Sequence, residues 1–250
     1  MPLSEEVFLY PEPNRSPAIL IVGIGALGCP AAELVARARI ARLTLVDSDQ
    51  VESSNLQRQV LFSDADVGRY KVDAAAERLG SLGADIETLR LRLDPSNADT
   101  LVAAHDFTID ATDDPTTKLL INVAAVSASR PFCYGGVVKT GGLAMSVWPG
   151  RSACLSCVFP STRVTDTERA AGCDQAGILA PVAGVIGALQ ARSALGACGI
   201  GPATRFGRMA VYEVRGRRWR FIDFPVDDRC PVCAGESADL RARRIESCRS

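Results

Sequence analysis

Through its first half the chain alternates short apolar runs of β type with amphipathic stretches of helical spacing. That order folds as a parallel sheet covered by helices on both faces. The expected strands are Ile19 to Gly23, Leu43 to Asp47, Glu87 to Arg92 and Phe107 to Ala111. Between them, Leu27 to Arg39, Val72 to Leu82 and Pro115 to Ala128 have helical spacing and few breakers. After Arg130 the texture changes: Phe132 to Val138, Leu143 to Trp148, Met209 to Val214 and Trp219 to Asp223 read as strands that extend the sheet, partly antiparallel. A Gly- and Ala-rich helix from about Ile178 to Cys198 separates those pairs. Its small side chains suit close packing, either in the core or at a subunit contact.

Two hundred and fifty residues hold one sizeable core, so a single domain over residues 18–235 is expected, with a short N-terminal extension (1–17) and a polar tail (236–250). A hydrophobic share of 47%, a charged share of 23% and a net charge of −1 exclude a disordered or nucleic-acid-coating chain. Met1 to Pro17 carries three Glu and four Pro residues and lacks the cationic start and apolar run of a secretory signal. The longest apolar stretch, Ala176 to Leu189, is interrupted by Pro181, Gly184 and Gly187 and falls short of the roughly 20 residues that span a bilayer. The expectation is a cytoplasmic protein with neither membrane nor nucleic acid as partner.

Gly23-Ile24-Gly25-Ala26-Leu27-Gly28 follows the first strand and opens the first helix, where backbone amides can face phosphate oxygens. Asp47 closes the second strand about 20 residues on, placed to accept from ribose hydroxyls. A nicotinamide-dependent oxidoreductase would share these features. It would not call for Ser54-Asn55-Leu56-Gln57-Arg58-Gln59 and Lys71, which set two fixed cations beside an anion-binding turn, as a triphosphate requires when charge grows on departing pyrophosphate. Asp110-Ala111-Thr112-Asp113-Asp114 brings carboxylates to the carboxyl edge of the sheet, and Asp113 is the candidate Mg²⁺ ligand, with a helix N-cap before Pro115 as its alternative role. The one histidine, His105, precedes a strand and reads as structural. Chemistry that needs no strong base is favoured, and adenylation of an already ionised carboxylate is such chemistry.

Nine cysteines in a chain without an export signal point to metal and thiol chemistry. Cys154-Leu-Ser-Cys157 and Cys230-Pro-Val-Cys233 together read as the four thiolates of one closed, structural zinc site, with a redox role for either pair as the alternative that the absence of a thioredoxin-type strand-helix start disfavours. Cys173 stands apart, ahead of the Gly/Ala-rich helix in a polar stretch, where it is either a reactive thiol or a small structural residue.

These residues in this order resemble the MoeB/ThiF family, relatives of ubiquitin-activating enzymes. The pieces that carry the likeness are the Ser54-to-Gln59 run, Asp110-Ala-Thr-Asp113, Gly177-Ile-Leu-Ala-Pro181-Val-Ala-Gly-Val-Ile-Gly187 and the paired cysteine knuckles. The resemblance implies a Rossmann-like, doubly wound α/β fold and a homodimer that uses ATP, Mg²⁺ and Zn²⁺. It implies adenylation of the terminal Gly-Gly of a ubiquitin-like, β-grasp sulfur carrier for thiamine, molybdopterin or related sulfur transfer. It places Asp47, Ser54, Asn55, Arg58, Lys71 and Asp113 at nucleotide and metal contacts, and Cys173 at the family's thiol. Gly23, Gly25, Ala26, Gly28 and Asp114 join them as cofactor-binding candidates, and Arg58, Lys71, Asp113 and Cys173 are the catalytic candidates. Three departures stand out: no N-terminal Arg-Tyr-x-Arg-Gln helix, Ala26 where Gly is usual, and Asp114 where Asn is usual. A scaffold that binds a carrier without turnover would keep the fold and zinc and lose the chemistry with the missing arginine.

Overall fold

The structure, a computed structural model, describes residues 16–39, 42–160 and 177–234. Arg15, Cys173 and the tail from 235 lie outside them. Strand β1 (Ala18–Val22) is buried along its whole length, the pattern of a strand covered on both faces. It feeds α1 (Gly28–Ala38), β2 (Arg42–Val46), α2 (Lys71–Gly80), β3 (Asp85–Leu89), α3 (Ala98–Ala103), β4 (Phe107–Asp110), α4 (Pro115–Ala128) and β5 (Phe132–Val138). Next along the chain come β6 (Gly141–Val147), the short α5 (Leu155–Val158), α6 (Ala180–Ala197), β7 (Arg208–Glu213) and β8 (Arg218–Asp223).

The eight strands form one sheet in the order β3-β2-β1-β4-β5-β6-β7-β8. Pairing is parallel from β3 to β5 and antiparallel from β5 to β8. Order reverses between β1 and β4, and open α/β sheets bind ligands at such a reversal. Strands β1, β2, β4 and β5 fall within a residue or two of their expected bounds, while β3 ends earlier than Arg92. Its ladder stops where its partner stops, at the pair Val46–Leu89, and the chain then turns toward the sheet's carboxyl edge.

One face carries α1, α2 and α6 over Ile19, Ile21, Leu43, Leu45 and Ile109. The other carries α3, α4 and α5 over Leu20, Val22, Phe132 and Val147, together with Cys154, Cys230 and Cys233. The Gly/Ala-rich helix belongs to the core. At Gly187 a Cβ would stand 2.5 Å from the Leu27 carbonyl oxygen, so only glycine lets α6 lie this close to the start of α1. No helix among the described residues is long and apolar enough to cross a membrane.

Candidate active site

A cavity of about 740 Å³ opens at the carboxyl edge of β2, β1, β4 and β5. Its floor is the turn after β1. Gly23 adopts φ +89°, and its amide donates to the Val46 carbonyl at 2.8 Å. A Cβ on Gly28 would collide with the Gly23 carbonyl oxygen at 1.9 Å, which fixes glycine there for backbone reasons alone. Gly25 differs: the nearest atom to an added Cβ is Gln59 Nε2 at 3.9 Å, so the space above it is open cavity. The turn therefore offers backbone to a ligand, as a phosphate needs. Ala26 leans its methyl toward the core while lining the same space.

Asp47 directly follows β2. Its Oδ2 accepts from the Ile24 amide at 2.7 Å and its Oδ1 from the Asp49 amide at 2.8 Å, locking the glycine turn to the second strand. Burial raises its carboxyl above the ordinary value, opposed chiefly by the charge of Lys71. Each oxygen keeps lone-pair capacity for a further donor.

Two cations come from the segment after β2. Lys71 opens α2, and its ammonium, on a side chain 8% exposed, meets Asp49 Oδ2 at 2.8 Å. A backbone bond from the Lys71 amide to the Asp49 carbonyl pins the same pair of residues. Arg58 donates to Asn55 Oδ1 and, at 3.2 Å, to the Ser54 carbonyl. Ser54 and Asn55 in turn both donate to Glu52 Oε2, at 3.2 and 3.3 Å. Ser54, Asn55, Arg58 and Lys71 all line the cavity, so the structure brings together every one of these expected positions.

Across the reversal, Asp113 is exposed and lines the cavity, with no hydrogen bond or ion pair to any described residue. The helix cap falls to Asp114 and not to Asp113: its carboxylate accepts from the Thr116 and Thr117 amides, and the Thr117 hydroxyl adds a 2.7 Å bond. Pro115 occupies the first helical position, so the residue immediately before it is the cap. Asp114 also meets Arg92 at 3.3 Å, which offsets the extra negative charge at this position. Both remain at the cavity wall.

Three residues escaped the sequence reading. Lys118, one turn into α4, reaches Asp110 and the Gly135 carbonyl and lines the cavity. Arg92 also lines it, beside Leu91 and Leu93. Gln190, fully buried on α6, donates Nε2 to the carbonyls of Asp110 at 2.6 Å and Cys133 at 3.2 Å, tying the end of β4 to the start of β5. For Lys118 the signal was its spacing from Pro115, which returns it to the face of the cap.

At a distance from the cavity, the Sγ atoms of Cys154, Cys157, Cys230 and Cys233 lie within 4.8 Å of one another. Neighbouring sulfurs are separated by 3.8, 3.7 and 3.4 Å. Zinc–sulfur bonds of about 2.3 Å imply tetrahedral edges of about 3.8 Å, so the cage fits such an ion. Burial otherwise pushes the Cys154 thiol up to about 11. Thiolates gathered here therefore call for a cation.

A doubly wound sheet with an anion-accepting turn at its reversal, an acid behind β2 and paired cations facing an unpaired carboxylate defines a class of nucleotide-handling α/β proteins. The chain belongs to the ThiF family, whose model matches residues 14–232. It is 36% identical over 224 residues to the sulfur carrier protein ThiS adenylyltransferase of Escherichia coli (strain K12), covering 88% of this chain and 87% of that one. It is 38% identical to the adenylyltransferase and sulfurtransferase MOCS3 of Bos taurus, covering 87% of this chain and 47% of the relative, so it spans about half of that protein. The crystal structure of E. coli MccB with ATP superposes with a TM-score of 0.77 at 22% identity, covering 88% of this chain and 67% of MccB; the likeness is one of fold.

Proposed function

We propose that the chain is an ATP-dependent adenylyltransferase that joins AMP to the C-terminal carboxylate of a ubiquitin-like, β-grasp sulfur carrier ending in Gly-Gly. The observation that carries this reading is the meeting, in one cavity, of the open Gly25 turn, Asp47, Arg58, Lys71 and the unpaired Asp113. No histidine lines that cavity; His105 is buried between the Leu101 carbonyl and the Thr44 hydroxyl. A terminal carboxylate, ionised above a pKa of about 3.5, needs alignment and charge neutralisation in place of a base.

In this reading Gly25 to Gly28, whose amides follow the two already held by Val46 and Asp47, present backbone to the phosphates, and Asp47 accepts from the ribose hydroxyls. Arg58, oriented by Ser54 and Asn55, and Lys71 neutralise the β- and γ-phosphates. A carboxylate oxygen of the acceptor attacks the α-phosphorus, the bond to the bridging oxygen breaks, and pyrophosphate leaves with that electron pair. Asp113 is the residue that would hold Mg²⁺, which supplies further charge neutralisation on the phosphate oxygens. The four cysteines would hold Zn²⁺, with every ligand position filled by sulfur and so a structural ion. Relatedness to an enzyme named for ThiS, over most of both lengths, supports the carrier as substrate class. A homodimer, a cytoplasmic setting that keeps these thiols reduced, and a later sulfur-transfer role for Cys173 complete the proposal.

The test is exchange of labelled pyrophosphate into ATP with E. coli ThiS as acceptor. Arg58→Ala and Asp113→Ala should each lower exchange by about 100-fold or more. Exchange indifferent to both changes removes the site assignment. Tight NAD binding without exchange would instead favour an oxidoreductase, and carrier binding without adenylate a scaffold.

A further inference from the structure

Arg58 and Lys71 belong to the segments after β2, on one side of the reversal between β1 and β4. The other side, at the ends of β4 and β5, has its own cation. Lys118 lines the cavity with Gly136, Val137, Gly177 and Ile178, and its side chain is 12% exposed.

An ammonium has three N–H donors. One goes to the Gly135 carbonyl at 2.7 Å. A second is shared between Asp110 Oδ1 and Oδ2 at 3.3 and 3.4 Å, a longer contact with a carboxylate that is fully buried. The Tyr134 ring, 4.9 Å away, attracts the charge without requiring a directed donor. No other acceptor among the described residues takes the third N–H. The surroundings are narrow. Gly136 leaves only 2.9 Å between an added Cβ and the Tyr134 hydroxyl. Residues 177–179 run beside the end of β5, held by Lys139 amide to Gly177 carbonyl at 3.1 Å and Leu179 amide to Lys139 carbonyl at 2.9 Å.

We infer that Lys118 is the acceptor-side cation: its free N–H holds the incoming terminal carboxylate, and then the acyl carbonyl of the adenylate, on the far side of the α-phosphorus from Arg58 and Lys71. The inference rests on the adenylation reading above and assigns it an acceptor subsite. Attack and departure in phosphoryl chemistry lie roughly in line, so cations for the leaving pyrophosphate and for the entering carboxylate belong on opposite sides. Lys118 keeps its proton throughout. Asp110, paired with it, and Gln190, which grips the Asp110 carbonyl, position the ammonium without touching the substrate.

The experiment compares two ligands by calorimetry: AMP, and 5′-O-(glycylglycyl-sulfamoyl)adenosine, a stable mimic of the acyl-adenylate. The wild-type chain should bind the mimic at least about tenfold more tightly than AMP, the scale of one charge-assisted contact. Lys118→Ala should weaken the mimic by about tenfold or more and leave AMP within about twofold, while Lys118→Arg retains most of the preference. Because Lys118→Ala strands a buried Asp110, the paired change Asp110→Asn/Lys118→Gln should give the same selective loss in a neutral setting. Equal weakening of AMP and mimic would make Lys118 a nucleotide contact and overturn the inference. So would an unaffected mimic, or a wild-type chain that does not prefer it. A wild-type chain that binds no adenine nucleotide would overturn the adenylation reading itself.

Discussion

Asp113 and Asp114 are adjacent carboxylates with different work, and the difference lies in who donates to them. Asp114 is satisfied by two amides, the Thr117 hydroxyl and Arg92; burial acts against its ionisation, and these partners together hold its carboxyl below the usual range. Removing it exposes the start of α4, so Asp114→Ala should cost about 1 kcal/mol in urea unfolding at pH 7. A carboxyl lowered in the folded state contributes fully above its unfolded value near 3.9, and that contribution is lost as pH falls through the folded value. The penalty of Asp114→Ala should therefore shrink toward pH 2. Asp113, exposed and unpartnered among the described residues, should give Asp113→Ala a stability within about 0.5 kcal/mol of the parent while its exchange activity collapses. Proline marks this distinction in the sequence: a Pro at the first helical position makes its immediate predecessor the cap, and assigning the cap to Asp113 places it one residue early. Lys118 was illegible for another reason. Its spacing from Pro115 places it on the face of the cap, but its role depends on the Gly135 carbonyl, 17 residues away on β5, a meeting that no local pattern reports.

The strands and the longer helices were legible, and the short helices were not. Every strand from β1 to β8 and the helices α1, α2, α4 and α6 can be read from apolar spacing, because most of them bury a continuous face. Helix α3 has six residues, too few to display a period, and it is held by tertiary contact. His105, just beyond it, is the tie: Nδ1 meets the Leu101 carbonyl and Nε2 the Thr44 hydroxyl on β2, both at 2.7 Å. With Nδ1–H donated to the carbonyl, a neutral ring accepts from Thr44 through Nε2. Desolvation lowers the ring below its usual pKa, so the unfolded chain takes up a proton first as pH falls. Stability from this tie is complete above about pH 6.5 and declines below it toward the folded value. The urea midpoint should fall between pH 7.5 and 5.0, and His105→Gln should flatten that part of the decline. An unchanged slope in the variant would place the acid sensitivity elsewhere.

At the scale of the molecule, the antiparallel end is the part least held by its own core. All six residues of β8 are exposed, and its Trp219 stacks on Phe221 and packs against Tyr212 of β7, which is the member of that row that reaches the core. Beyond β8 the chain returns to the opposite face, where Phe224, Val226, Val232 and Ala234 pack beside Cys230 and Cys233. Those two cysteines meet Cys154 and Cys157 across 76 residues of chain, closing a loop that contains α6, β7 and β8. The doubled Cys-x-x-Cys spacing made the cage visible in the sequence, yet could not say which strands it restrains. Cross-linking so long a loop removes conformations chiefly from the unfolded chain, and the loss of the ion leaves buried thiols without the charge that holds them as thiolates. Metal analysis should find about one zinc per chain. Stripping it with a chelator should lower the melting temperature, expose the four cage cysteines to a thiol reagent and open tryptic cleavage at Arg229. Amide exchange should accelerate in β7 and β8 before it does in β1, β2 and β4, which are also covered on the opposite face by α1, α2 and α6. Uniform acceleration across all eight strands would show instead that the ion supports the whole domain and not its antiparallel end alone.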